Sequence, residues 1–171
     1  MNEGQIVLLT GVISLITSLL TSRITLAVTQ KNEVKKHILE ERTKLYFEYF
    51  PVVDLLLNHP EKVFDRSYTD KFFSYKARMK LLASKKTFSV YEQLFSIVAE
   101  STNAFDIYCG YQNGEDSSYF DQEDFAKLDK KDLQLSCEDF QQKHLPDRKE
   151  IDPYIQALYQ EMRNDLGSNL K

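Results

Sequence analysis

Residues 6–22 read IVLLTGVISLITSLLTS, seventeen positions without a charged side chain, and the meaning of this stretch decides the architecture of the rest. Ten are aliphatic, one is Gly11 and six are Ser or Thr, so each can face lipid or a neighbouring helix. As a helix rising ~1.5 Å per residue the run covers about 25 Å, slightly short of a hydrocarbon core of ~30 Å. Arg23 can snorkel to the headgroups while residues 24–28 (ITLAV) prolong the apolar stretch. The expected element is a single N-terminal transmembrane helix beginning near Gln5 and ending between Ser22 and Val28.

Two other readings of the run compete. A cleaved signal peptide needs a basic start, whereas Met1-Asn2-Glu3-Gly4 carries only Glu3 and the terminal amine, and no small-x-small site follows. A short buried core helix is the third possibility. Direction follows from the flanks. No Lys or Arg precedes the run, whereas Arg23, Lys31, Lys35, Lys36, Arg42 and Lys44 follow it, which predicts an outside N-terminus and a cytoplasmic C-terminal domain.

Within the run, Gly11, Ser14, Ser18, Thr21 and Thr25 recur at spacings of 3, 4, 3 and 4, a seam along which two helices approach closely. Thr10, Ser14, Ser18 and Ser22 form an unbroken i+4 row. These are candidate assembly residues for a homo-oligomer, and a ring of hydroxyls lining a narrow pore is a further reading. The opposing reading is that each hydroxyl bonds the carbonyl of the preceding turn and has no partner helix.

Beyond the run the chain is polar, and 171 residues suffice for one domain of ordinary size plus the anchor. The net charge of −4 argues against nucleic acid as a partner. Cys109 and Cys137 lack CxxC or Cys/His spacing, so they read as small buried apolar residues rather than a disulfide or metal framework.

The remainder predicts helices. Residues 29–50 carry charges in every turn and apolar Val34, Ile38, Leu45 and Tyr49 near multiples of 3.6, after which Pro51 should kink or interrupt the helix before residues 58–60 (NHP) turn the chain. A second helix starting at Thr69 or Asp70 would bury Phe72, Tyr75, Met79 and Leu82; a third, starting at Ser84 or Ser89, would bury Phe88, Tyr91, Phe95 and Val98 and run past Phe105 and Tyr108. Residues 110–118 form the best loop. A fourth helix carries Phe125, Leu128, Leu133, Cys137 and Phe140, and a last one, capped by Asp152 and Pro153, carries Ile155, Leu158, Met162 and Leu166 before Gly167 closes it. Strand signals are scarce. The expected fold is all-α: an outside tail over 1–4, the anchor over 5–28, a helical stalk entering the domain over 29–60 and an antiparallel cytoplasmic bundle of four or five helices over 61–171.

The order of a span, a Glu-, Lys- and Arg-rich helix, Leu81-Leu82-Ala83-Ser84-Lys85-Lys86 and a closing Glu161-Met162-Arg163-Asn164-Asp165-Leu166-Gly167 resembles uncharacterised single-pass membrane proteins of bacteria and their mobile elements. The resemblance implies this layout and a bacterial membrane, and carries over no activity and no catalytic residue.

A search for chemistry finds no phosphate-cradling glycine motif, HExxH, EF-hand loop or nucleophile elbow, and His37, His59 and His144 lie in separate segments. No catalytic, cofactor or metal residue is assigned, and the expectation is a non-enzymatic protein. Two charge features stand out. Lys71, Arg78 and Lys85 repeat at seven in a stretch without acidic residues, a candidate patch for anionic lipid or a phosphorylated ligand, with a plain solvated face as the alternative. Residues 100–140 hold eleven acidic and three basic side chains, a net of −8, which an anionic leaflet would repel and a basic partner would attract. The resulting expectation is a membrane-tethered interaction or sensor module with an unidentified cytoplasmic protein partner; an oligomerising membrane effector or pore former is the alternative.

Overall fold

The structure, a computed structural model, describes residues 3–114 and 128–167, with the helical backbone alone described for residues 3–13, 15 and 16. The described elements are all helical: α1 (Glu3–Asn58), a 3-10 turn (Pro60–Phe64), α2 (Arg66–Ser74), α3 (Lys76–Leu82), α4 (Lys85–Gln112), a second 3-10 turn (Asp132–Gln134), α5 (Cys137–His144) and α6 (Arg148–Gly167). The contacts divide the chain into two compact units, Met1–Glu41 and Arg42–Lys171.

The first unit is the N-terminal part of α1. Most of its described large apolar side chains lie open: Leu19, Leu20, Ile24, Leu26 and Val28 are each more than half exposed. Among the described residues no helix is long and apolar enough to cross a membrane.

The second unit is a helical bundle with its own core. Leu45, Tyr46, Tyr49, Val52, Val53 and Leu56 recur at helical spacing on α1 and are buried against Phe72, Met79, Tyr91, Leu94 and Val98, with Ile155, Leu158 and Met162 of α6 completing the cluster. The centre is aromatic: the Tyr49 ring lies 5.8 Å from Phe72, 5.1 Å from Tyr75 and 5.6 Å from Tyr91. Burying such rings supplies about 2–3 kcal/mol each, so this unit's stability comes from packing rather than helix propensity. Residues 42–58, the part of the expected stalk nearest the domain, thus supply one face of its core.

Pro51 does not interrupt α1. It removes the donor that would bond the Phe47 carbonyl, but Pro51 and Phe47 are both exposed, which puts that carbonyl on the solvent side of the helix while Tyr49, Val52 and Val53 hold it from the opposite side. Pro153 lies exposed inside α6 in the same way. That helix starts earlier than Asp152: the Asp147 carboxylate accepts the Lys149 N–H at 3.0 Å and serves the free donors of its first turn.

Other boundaries shift for local reasons. Asp65, not Thr69 or Asp70, caps α2 by accepting the Ser67 N–H at 3.0 Å, and the helix breaks at Tyr75. Ser84, not Ser89, caps α4 through its bond from the Thr87 N–H at 3.2 Å. α4 runs to Gln112 into the segment read as a loop, and Gly114 takes φ +74, the left-handed geometry that glycine adopts without strain; residues 115–118 lie outside the described residues. The expected fourth helix is not continuous. Phe125 lies outside the described residues, and the extended backbone at Leu135 and Ser136 separates the 3-10 turn from α5, which Ser136 caps. Gly167 is the last described residue of α6, so its role as a cap falls outside them. Neither cysteine is buried: Cys137 opens α5 on the exposed surface, and Cys109 is half-buried at the margin of α4.

Candidate functional site

Asp165, near the end of α6 and only 6% exposed, is a highly connected buried polar group of the second unit. Its Oδ2 accepts the Tyr46 hydroxyl at 2.6 Å, the Ser84 N–H at 2.9 Å and the Thr87 hydroxyl at 2.9 Å. One carboxylate thus ties α1, the first turn of α4 and α6 together. Burial alone would raise its pKa, but the donors from Tyr46, Ser84 and Thr87 together outweigh it and hold the carboxyl below the ordinary range. Burial first, and then the bond to this anion, push the Tyr46 hydroxyl well up, so it stays a proton donor. Beside this knot the Arg42 guanidinium donates from Nε to the Leu82 carbonyl at 2.6 Å, so the α3–α4 corner is fastened from both sides.

A carboxylate so fully supplied with donors is a poor general base, because proton uptake would sacrifice several charge-assisted bonds. Its chemistry is that of a structural tie. Sequence reading missed it. Ile151, Ile155, Leu158 and Met162 advance by 4, 3 and 4, and the next step of 3 falls on Asp165; the polar residue at a core position was the available signal. Leu166, chosen instead, is half-buried against the same cluster.

A second tie closes the far end. Asp132, 4% exposed, pairs with Lys143, and its Oδ2 lies 3.1 Å from His144 Nε2. The Lys143 hydrogen bond, joined by that from His144, keeps the carboxyl low. Phe140 stacks on Tyr108 at 4.2 Å and on His144 at 4.3 Å, while the Tyr108 hydroxyl donates to the Leu135 carbonyl at 2.9 Å. Between α4 and the α5–α6 turn lies a cavity of about 640 Å³ whose polar lining includes Glu100, Asn103, Lys143, His144 and Glu150. Its charges are of both signs, and its Lys143 and His144 already serve Asp132. Among the described residues no cluster of His, Cys, Asp and Glu could hold a metal ion.

The candidate seam can be followed from Ser14 onward, since the Gly11 surroundings lie outside the described side chains. Ser14, Ser18, Thr21 and Thr25 line one exposed groove of α1 together with Thr17 and Ser22. Thr21 Oγ1 donates to the Thr17 carbonyl at 2.8 Å, the back-bond by which a hydroxyl is satisfied within its own helix. The candidate patch does not share one helix: Lys71 is on α2, Arg78 on α3 and Lys85 opens α4, and the break at Tyr75 removes the seven-residue register. Arg78 is engaged by Glu48, and Lys76 lies 4.0 Å over the Phe95 ring.

No family model, curated protein or solved structure matches this chain.

Proposed function

We propose that this chain is a membrane-tethered interaction or sensor module, non-enzymatic, whose N-terminal helix spans a bacterial membrane and whose second unit recruits a protein partner at the cytoplasmic face. The observation that carries the reading is the uncharged run of residues 6–22, followed by six cations within about twenty residues and none before it. The open aliphatic side chains beyond Ser18 support it, because Leu19, Leu20 and Ile24 would gain by leaving water. The polar ties favour a structural over a catalytic role for the second unit, since Asp165 and Asp132 are both consumed in joining elements.

The test is extraction and topology. The full chain expressed in bacteria should stay in the membrane pellet at alkaline pH, and a reporter joined after Lys171 should be active only inside the cell. Release of the chain into the supernatant, or a reporter active outside, would refute the anchor or its direction. The hydroxyl-lined face of α1 favours a second reading, an effector that assembles through Gly11, Ser14, Ser18, Thr21 and Thr25. Replacing Gly11, Ser14 and Ser18 by Leu should then abolish cross-linked oligomers; unchanged cross-linking excludes it.

A further inference from the structure

Cys109 and Cys137 are the two cysteines of the whole chain, and they belong to different helices of the second unit. The fold nevertheless brings their surroundings together. The Tyr108 hydroxyl reaches across 27 residues to the Leu135 carbonyl at 2.9 Å, and the Gln112 side-chain amide donates to the Leu133 carbonyl at 2.8 Å. Phe140 packs on both Phe105 and Tyr108, with ring centres 6.3 Å and 4.2 Å away. On α4, Cys109 lies one turn after Phe105 and one turn before Gln112, on the flank of the face that meets these partners. On α5, Cys137 lies one turn before Phe140 and two before His144, whose rings stack on each other. Each cysteine is therefore on the side of its helix turned toward the other.

The two thiols are electrostatic neighbours as well. Burial first, and then Cys137 and Asp106, push the Cys109 thiol up, while the adjoining Tyr108 hydroxyl is raised by burial and then by Cys137 and Cys109. Packing does not account for the pair, since a cysteine used as a small apolar filler is buried and neither of these is. Cys137 is exposed and Cys109 half-buried, so one is open to a reagent in solution and the other is reached through it.

We propose that Cys109 and Cys137 are a redox-sensitive dithiol that closes to a disulfide by exchange with a low-molecular-weight disulfide, fastening the first turn of α5 to α4. The Cys137 thiolate attacks one sulfur of the small disulfide, forming a mixed disulfide and expelling one small thiolate. Cys109 then gives its proton to solvent and attacks the Cys137 sulfur, expelling the second small thiolate. Two protein thiols and one small disulfide become one protein disulfide and two small thiols, so the two electrons and two protons that the protein loses are taken up by the small disulfide. The second step is intramolecular, and the fold supplies its proximity. In a reducing compartment such a pair rests open and closes when the thiol poise turns oxidising. The helices that it joins also carry the Asp132 tie: Lys143 and His144 of α5 hold that carboxylate, and Gln112 of α4 holds the 3-10 turn that contains it. Closing the disulfide thus locks the end of the unit where α4, this turn and α5 meet.

The test uses the purified full chain in mild detergent, equilibrated with mixtures of reduced and oxidised glutathione, alkylated and weighed intact by mass spectrometry. The native chain should pass to a species two hydrogens lighter, with no alkylated thiol and no bound glutathione. Cys109→Ser should stop at a glutathione adduct on Cys137, and Cys137→Ser, left with the half-buried thiol alone, should react about tenfold more slowly than Cys109→Ser. The glutathione mixture that half-closes the wild type gives the effective concentration of the pair. It should be about tenfold or more higher in the native chain than in urea, because the fold holds the thiols together. By the same thermodynamic cycle, oxidation should shift the unfolding equilibrium of the second unit toward the native state by that factor. Equal effective concentrations in buffer and in urea, a wild type that ends with two bound glutathiones, or disulfides that link separate chains would each overturn the proposal. The wild-type comparison of buffer with urea decides the matter even where a serine variant fails to fold.

Discussion

α1 is one continuous helix with two contrasting parts. On the second unit's side Leu45, Tyr46, Tyr49, Val52, Val53 and Leu56 are at most 3% exposed, whereas in the first unit Leu19, Leu20 and Ile24 are about 60% exposed. Both stretches are aliphatic enough to seek burial, and among the described residues only the second is buried. The helix therefore has two solvents to satisfy, a protein core and, in our reading, lipid. Deleting residues 1–41 is the strongest way to break the comparison. It should eliminate membrane association that resists alkaline extraction, yet leave the cooperative melting of the remainder within a few degrees of the full chain's. Loss of cooperative melting would mean that the division at Glu41 and Arg42 is not an energetic boundary.

Substituting the same residue type on either side gives a smaller and more local contrast. Leu45→Ala removes methyl groups from a fully buried position and should cost about 2–5 kcal/mol in denaturant unfolding of the second unit. Leu19→Ala, at an exposed position of the first unit, should leave that unfolding curve within about 0.5 kcal/mol. Equal losses would show that the two units unfold together.

The tie at Asp165 comes next in size. Asp165→Ala strands the Tyr46 and Thr87 hydroxyls and the Ser84 N–H, and should cost about 3 kcal/mol. The pH dependence has a definite sign. Because the folded carboxyl titrates below its unfolded value of about 3.9, its stabilisation is complete above that pH and is lost as acid carries the pH down through the folded value. Asp132 and Asp65, the latter lowered to about 2 chiefly by its Ser67 hydrogen bond, act in the same direction. Wild type and Asp165→Asn should therefore differ most near neutrality and converge on acidification, when followed by urea unfolding at a series of pH values. A gap that widens in acid would contradict the assigned protonation state.

Much of this fold could be read from periodicity, because apolar spacing is a local property. The rows through Phe72 and Met79, through Tyr91 and Val98 and through Ile155, Leu158 and Met162 all face the core as their spacing implies. What escaped depends on distant partners. Asp165 meets Tyr46 across 119 residues and Ser84 across 81, and no local pattern encodes those meetings. Pro51 escaped for a different reason. Its cost depends on whether the carbonyl four residues earlier faces water, which only the three-dimensional packing decides. Lys71, Arg78 and Lys85 do not share one helix, because the chain breaks at Tyr75 and again at Ala83 and Ser84.

The finest test compares neighbouring tyrosines on the buried part of α1. Tyr46 and Tyr49 are both fully buried, one turn apart, but Tyr46 donates to Asp165 while the Tyr49 hydroxyl, like that of Tyr91, has no hydrogen-bond partner among the described residues. Burial pushes the Tyr49 hydroxyl far up, so it stays neutral and gains nothing from ionising. Tyr46→Phe removes one donor from a charged acceptor and should cost about 1.5–3 kcal/mol. Tyr49→Phe keeps the ring contacts with Phe72, Tyr75 and Tyr91 while deleting an unsatisfied polar atom, so it should be neutral or stabilising by up to about 1 kcal/mol. Parallel denaturant curves resolve opposite signs readily. If Tyr49→Phe proved as costly as Tyr46→Phe, its hydroxyl would have to be bonded to internal water, and the core around it would be wetter than its aromatic packing implies.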